Sequence, residues 1–328
     1  MTPSSEHPKK YAFVLLPGYS QLGFACALES LSLANRHPSN RRFYEWRILS
    51  EDGGPVAAYN GVAVSADSAL CELARDETIV ICAGENVGAV TSKKLVSWLR
   101  RETRRGMDFG SLSSGAYVLA RAGLLEGKRV TTHWEYRTAL TEILPEVIIE
   151  DAIYAIDGRV FTTAGGAASM DMMLERIRHD HGSELSTWVA DQMVYTDTRT
   201  PGHSQRTARP MSGMLRHGKL SLALRVMENN IEEPLTPDEI SHVIALSTRQ
   251  LERLFAQHLN TSPKRYYLRL RLEKARDLLR QTDMSVTDIC LACGFKSLSH
   301  FSKSYRKAYG VSPGQEDGSG ALVWQGSL

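Results

Sequence analysis

In the first half of the chain, the side chains with chemical potential cluster around Ser113, Ser114, His133 and Trp134. Ser113 follows a strand-like run, Met107–Leu112, and precedes a helix beginning near Ala116. A hydroxyl on such a turn stands clear of the sheet, and the amides that open the helix can serve as oxyanion donors. His133 comes twenty residues later, after the strand-like Val130–Thr132, and could be the base that a serine nucleophile needs. The elbow is incomplete, because Ser111 stands where a GxSxG motif would place its first glycine. The same groups also suit a binding pocket. Gly84 directly follows a buried-strand candidate, Thr78–Ala83, and Trp134 offers an aromatic face to a quaternary ammonium.

In the second half the chemistry is that of phosphate and base edges. LTPDEISHVIALSTRQLERLF and MSVTDICLACGFKSLSHFSKSY repeat one pattern: a capped helix, a short turn, and a second helix with a polar outer face. Ile240 aligns with Ile289, Leu251 with Phe301, Arg253 with Lys303 and Phe255 with Tyr305, and one residue enters at the second turn. In the first copy Leu251, Leu254 and Phe255 face inward, leaving Thr248, Arg249, Glu252 and Arg253 outside after the cap Ser247. In the second, Leu298, Phe301 and Tyr305 face inward, leaving Ser299, His300 and Lys303 outside after Ser297. Arg249 and Arg253 suit base edges or phosphate, and Glu252 suits a cytosine amino group or a neighbouring arginine. Between the copies, Ser262-Pro263 opens a helix to about Arg280 with a seam of Leu268, Leu272, Ala275 and Leu279. At ~1.5 Å per residue this rod spans ~27 Å, enough to hold two recognition helices about one DNA turn apart. Arg265, Arg269 and Arg276 on it are read as phosphate contacts or solvated charges.

The elements that position these groups are legible in outline. Strand-like runs at 11–17, 43–49, 78–83 and 107–112 alternate with helical stretches at 21–35, 91–105 and 116–122. Asp157-Gly158 marks a hairpin, and helices follow to about His181 and from Leu185 to Tyr195. This alternation predicts a mostly parallel sheet covered on both faces. Thr198–Gly213 interrupts it with Pro201, Gly202, Pro210 and Gly213 and reads as a linker. The resulting division is 1–197, a linker 198–214, a helical domain 215–316 with helix-turn-helix motifs at 235–256 and 284–307, and a loose tail 317–328.

STRQLERLF, TSPKRYYLRLRLEKARDLL and CGFKSLSHFSKSYRKAYGVSP resemble the AraC family of transcription regulators. FVLLPGYS, ALESLSLAN, SLSSGAYVLARAGLLEGKRVTTHW and FTTAGGAASMDMMLERI resemble the PfpI-type, class I glutamine-amidotransferase-like fold. The two joined resemble the GlxA group of regulators. The resemblance implies a flavodoxin-like α/β domain followed by an all-α domain with two helix-turn-helix motifs. Its implied partners are double-stranded DNA, a small nitrogenous effector such as an amino acid, betaine or carnitine, RNA polymerase, and a second copy as a homodimer. It also implies activation rather than repression. Enzymes of this fold carry cysteine at the elbow where this chain has Ser113, so the resemblance implies a retired active site kept as a pocket. Glu29 falls on the helix that lends such enzymes an acidic residue. Two rival readings are a hydrolase using Ser113 and a constitutive DNA-binding protein that recruits a partner.

Composition bounds these readings. The 328 residues carry a net charge of +2, but residues 1–198 hold 20 Lys+Arg against 25 Asp+Glu, and residues 199–328 hold 19 against 12. The basic half is the half with the repeat, which fits phosphate binding at one end. No run of about eighteen apolar residues is present, so no membrane span is expected, and no signal peptide is read. Five scattered cysteines argue against a disulfide framework and suit the cytoplasm. Cys290 and Cys293 are spaced like half a zinc site without a second half, so neither metal nor cofactor is expected.

Overall fold

The structure, a computed structural model, describes residues 7–205, 218–282 and 284–316. Residues 1–6, the linker residues 206–214 and the tail 317–328 lie outside the described residues. The chain divides into two compact units, residues 1–205 and 206–328.

In chain order the first unit runs β1 (Lys9–Leu15), α1 (Gln21–Ala34), β2 (Tyr44–Ser50), β3 (Val56–Ala57), β4 (Ala63–Val64), β5 (Ser68–Ala69) and β6 (Glu77–Cys82). It continues α2 (Val87–Val90), α3 (Lys93–Thr103), β7 (Phe109–Leu112), α4 (Gly115–Arg121), β8 (Arg129–Val130), α5 (Arg137–Ile143) and β9 (Ile148–Ile149). It closes with β10 (Tyr154–Asp157), β11 (Val160–Thr163), α6 (Ala168–His181) and α7 (Ser183–Gln192). The main sheet has the order β10-β11-β7-β6-β1-β2-β5. Every pair in it is parallel except the β10–β11 hairpin, the turn marked by Asp157-Gly158.

Period-two alternation explains why β1 lies inside the sheet. Tyr11, Phe13 and Leu15 enter one core, beneath α1, α6 and α7. Ala12, Val14 and Leu16 enter the other, with residues of α3, α4 and α5. A strand apolar on both faces must be covered twice, which is the doubly wound arrangement. The order reverses between β1 and β6, so the connections leaving their carboxyl ends run to opposite faces and leave a crevice, the usual ligand position in such sheets.

The second unit is helical: α8 (Gly218–Asn229), α9 (Pro237–Val243), α10 (Thr248–Leu259), α11 (Pro263–Gln281), α12 (Val286–Ala292) and α13 (Leu298–Tyr309). Each of α9 to α13 opens on a Ser or Thr whose side chain accepts an amide of the first turn. The repeat is visible in space. Ile240 and Ile289, Leu251 and Phe301, and Phe255 and Tyr305 are all fully buried. The inserted residue lies in the turn, which is Ile244–Ser247 in the first copy and Cys293–Ser297 in the second. Gly294 in that second turn has φ +70°, and a Cβ there would lie 2.4 Å from the Ile231 carbonyl, so only glycine fits.

Helix α11 separates two small cores. Tyr266 and Tyr267 pack with α8, α9 and α10, while Leu272, Ala275 and Leu278 pack with α12 and α13. The expected seam is displaced, since Leu268 and Leu279 are only partly buried and Leu278 is fully buried. A helix that serves two cores buries a broader stripe than one seam. Leu298, expected to face inward, is 45% exposed, because α13 begins there and its inward row starts with Phe301. Arg276 also differs from expectation. It is buried, stacks 4.4 Å from the Tyr309 ring, and pairs with Glu316 at 3.2 Å. Cys290 and Cys293 are buried in the second core, and the Cys290 thiol donates to the Phe295 carbonyl.

Candidate functional site

A cavity of ≈ 420 Å³ occupies the crevice at the carboxyl ends of the strands, within the range of small-ligand sites. Ser20 follows β1, Gly84 and Glu85 follow β6, Ser113 follows β7, and Ala164 to Ala168 follow β11. His133, Trp134, Glu135 and Tyr136 close one side, and Leu22, Tyr59, Ile153, Arg199 and Gln205 complete the lining. Gly84, Ser113, His133 and Trp134 are therefore brought together as expected.

Ser113 sits on the turn with φ +57°, a left-handed conformation costing about 1–3 kcal/mol for a residue with a side chain. The surroundings hold it there. Its amide donates to the Thr163 carbonyl at 3.1 Å, and its carbonyl accepts Thr132 Oγ1 at 2.9 Å. Gly165, at φ +87°, leans against it so closely that a Cβ would fall 2.7 Å from Ser113 Cβ. His133 Nδ1 is buried without a hydrogen-bond partner, and its closest carboxylate oxygen, Glu135 Oε2, lies 3.5 Å away. Burial lowers the His133 pKa below its usual 6.5, so the ring is neutral near pH 7. The His133 ring lies against Trp134 with centroids 5.3 Å apart, and Trp134 remains 37% exposed.

Two expected cavity residues lie elsewhere. Ser114 is fully buried, and its hydroxyl donates to the Gly84 carbonyl at 2.6 Å, stapling the β6 end to the elbow. Glu29 is exposed on α1, where Cys26, Ala27 and Ser30 are the residues turned to the core, and it does not line the cavity. The acidic residues that line the cavity are Glu85 and Glu135, each beside a residue already singled out by sequence.

Arg199 and Gln205 were assigned by sequence to a linker, but both belong to the first unit. Arg199 clamps buried Asp171 through Nε at 3.0 Å, Nη2 at 2.7 Å and its amide at 2.8 Å. Gln205 Nε2 donates to Thr131 Oγ1, Thr132 O and Ala152 O at 2.9–3.0 Å. No local motif marks them; only the topology brings 199–205 back across the sheet end.

In the helical unit, Arg249, Glu252 and Arg253 are exposed on α10, and Ser299, His300 and Lys303 are exposed on α13. No ion pair joins Glu252 to a neighbouring arginine among the described residues. Ser247 and Ser297 serve as caps at the starts of these faces. Thr248 differs from expectation: its hydroxyl donates to Asp238 Oδ1 at 2.8 Å, so it locks α10 to α9. Arg269 lies over the Tyr266 ring at 4.8 Å and 3.6 Å from Glu273, while Arg265 is exposed. No helix among the described residues is long and apolar enough to cross a membrane.

Comparison with known proteins agrees with both halves. The DJ-1/PfpI family profile matches residues 9–179, and a helix-turn-helix domain profile matches residues 240–316. HTH-type transcriptional regulator CdhR of Pseudomonas aeruginosa is 44% identical over 93% of this chain and 90% of its own length. HTH-type transcriptional regulator GbdR of the same species is 38% identical over 96% and 85%. GlxA of Rhizobium meliloti is 33% identical over 94% and 96%. The crystal structure of an AraC family transcriptional regulator from Pseudomonas putida has a TM-score of 0.50 at 26% identity, covering 57% of this chain and 100% of that one. With the sheet, the elbow and the doubled motif in place, the chain belongs to the GlxA-type transcriptional regulators, which join a DJ-1/PfpI domain to an AraC-type helix-turn-helix domain.

Proposed function

We propose that this regulator places α10 and α13 in successive major grooves of double-stranded DNA and is switched by a small nitrogenous metabolite held in the α/β cavity. The observation that carries the first part is the pair of exposed polar faces, Arg249/Glu252/Arg253 and Ser299/His300/Lys303, on helices packed against one 19-residue rod. Such a rod is about one DNA turn long. The cavity supports the second part. Arg199, held in place by Asp171, brings guanidinium N–H groups to the cavity wall where a carboxylate can accept them, and Trp134 with Glu85 and Glu135 suits a cationic nitrogen, as in an amino acid, betaine or carnitine. The effector then shifts the population competent for adjacent half-sites. A cytoplasmic homodimer that contacts RNA polymerase and activates transcription completes the proposal.

We place no catalysis in the cavity. Ser113 Oγ makes no hydrogen bond to His133 among the described residues, and the His133 ring is neutral, its Nδ1 buried without a hydrogen bond 3.5 Å from Glu135 Oε2. Selection from a random-sequence duplex library tests the DNA reading. Two half-sites separated by about one helical turn are expected. Recovery of no motif would overturn it.

A further inference from the structure

We infer that Gln205 is an effector contact, and that through it the cavity's occupant sets the state of the segment leading to the DNA-binding unit. The inference rests on the cavity being the effector site, as proposed above. Its basis is a strap, residues 195–205, that crosses the open end of the sheet. Tyr195 Oη and the Arg199 amide both donate to Asp171 Oδ1, at 2.9 and 2.8 Å. The Ile153 amide donates to the Pro201 carbonyl at 3.2 Å. Gln205, which lines the cavity, is the last residue of the first unit, and the second unit begins at residue 206.

The two ends of the Gln205 amide have different environments. Nε2 faces three acceptors, Thr131 Oγ1, Thr132 O and Ala152 O, and this fixes which end is nitrogen. Oε1 is buried and has no hydrogen-bond partner. A buried acceptor without a donor is costly, and a donor on a bound molecule removes that cost. The chemistry that fits is a small zwitterion: its carboxylate toward Arg199, its cationic nitrogen near Trp134, and an N–H or O–H reaching Gln205 Oε1. A fully methylated nitrogen has no N–H, so for such a ligand the donor must be a hydroxyl. Because Arg199 and Gln205 both lie on the strap, an occupant that touches both holds it at two points at once. Occupancy is thereby converted into order in the residues that enter the linker.

Two matched pairs of probes test this on the full chain. L-carnitine differs from γ-butyrobetaine by one hydroxyl, and N,N-dimethylglycine differs from glycine betaine by one N–H. Calorimetric titration should show the donor-bearing member of at least one pair binding about tenfold tighter. Q205L should erase that preference, read as the ratio of the two affinities within each pair. Q205M, of similar length, replaces Q205L if the latter lowers the melting temperature. Hydrogen exchange in a peptide covering 199–205 should slow when the preferred probe binds the wild-type chain, and should slow less in the variant. Equal affinities within both pairs would overturn the inference and leave the cavity reading intact. Binding with unchanged exchange in 199–205 would overturn the coupling. No binding by any of the four would overturn the inference together with the occupant proposed above.

Discussion

The two units display their chemistry in opposite ways. The α/β unit gathers its groups into a concave site from strand ends scattered between Ser20 and Gln205. The helical unit presents its groups on convex faces, each drawn from about one turn and a half of a single helix. A concave site is built by topology, so its residues are constrained by what packs behind them, as Ser113 is by Gly165. A convex face is built by helical periodicity, and its residues are free to change without disturbing the core. The contrast predicts where substitutions will cost stability and where they will cost binding alone.

The largest expected effect lies behind a convex face. Glu316 is buried, pairs with Arg280 at 2.7 Å and Arg276 at 3.2 Å, and accepts the Tyr305 hydroxyl at 2.6 Å. Glu316→Ala removes the carboxylate that pairs with both arginines and should lower the stability of the helical unit by about 3–5 kcal/mol. Scanning calorimetry should show that transition falling while the α/β transition stays in place. A shared shift would erase the distinction between the units. Arg253→Ala and Lys303→Ala should act the other way. Each should weaken selected DNA by about 1–3 kcal/mol with no change in melting, because both side chains are exposed. Unchanged gel-shift affinity in both would remove the function from these faces.

The smallest effect is in pH. Burial holds His133 below its usual pKa of 6.5, and burial also lowers His181, with Arg41 and Lys9 adding to the shift against Asp180. Both rings resist protonation in the folded state, so stability is full above about pH 6.5 and declines as the pH falls through the depressed values. For Glu316, burial raises the pKa, but the Tyr305 and Arg280 hydrogen bonds and the charges of Arg276 and Arg280 more than offset this and leave it below 4.5. Its contribution persists above 4.5 and is lost only on further acidification. Melting curves between pH 7.5 and 5 (a range set by the ordinary histidine and carboxylate values) should therefore lower the α/β transition first. Parallel loss in both units would contradict this.

The same contrast explains what was legible in the sequence. Helical periodicity located Arg249, Arg253, Ser299, His300 and Lys303 on open faces, because a helix's own spacing decides which side is free. It failed where a partner lay far along the chain. Arg276 looks solvated until Glu316, forty residues later, folds beneath it. In the α/β unit, strand-turn-helix order located Ser113 and Gly84, since one follows β7 directly and the other lies two residues past β6. Glu29 was misplaced because membership of a helix says nothing of which end of that helix meets the crevice. Arg199 and Gln205 were hidden by a proline- and glycine-rich stretch that resembles a linker but returns to the sheet.

The central claim, that the α/β cavity holds the effector, is tested most directly by isothermal titration of the full chain with glycine betaine, L-carnitine and L-arginine, alongside Trp134→Ala. The account predicts saturable binding of at least one, weakened about tenfold or more in the variant, with about 2.7 kcal/mol of added stability at a hundredfold excess over the dissociation constant. Absence of heat and of stabilisation with all three, or binding indifferent to Trp134→Ala, would contradict it.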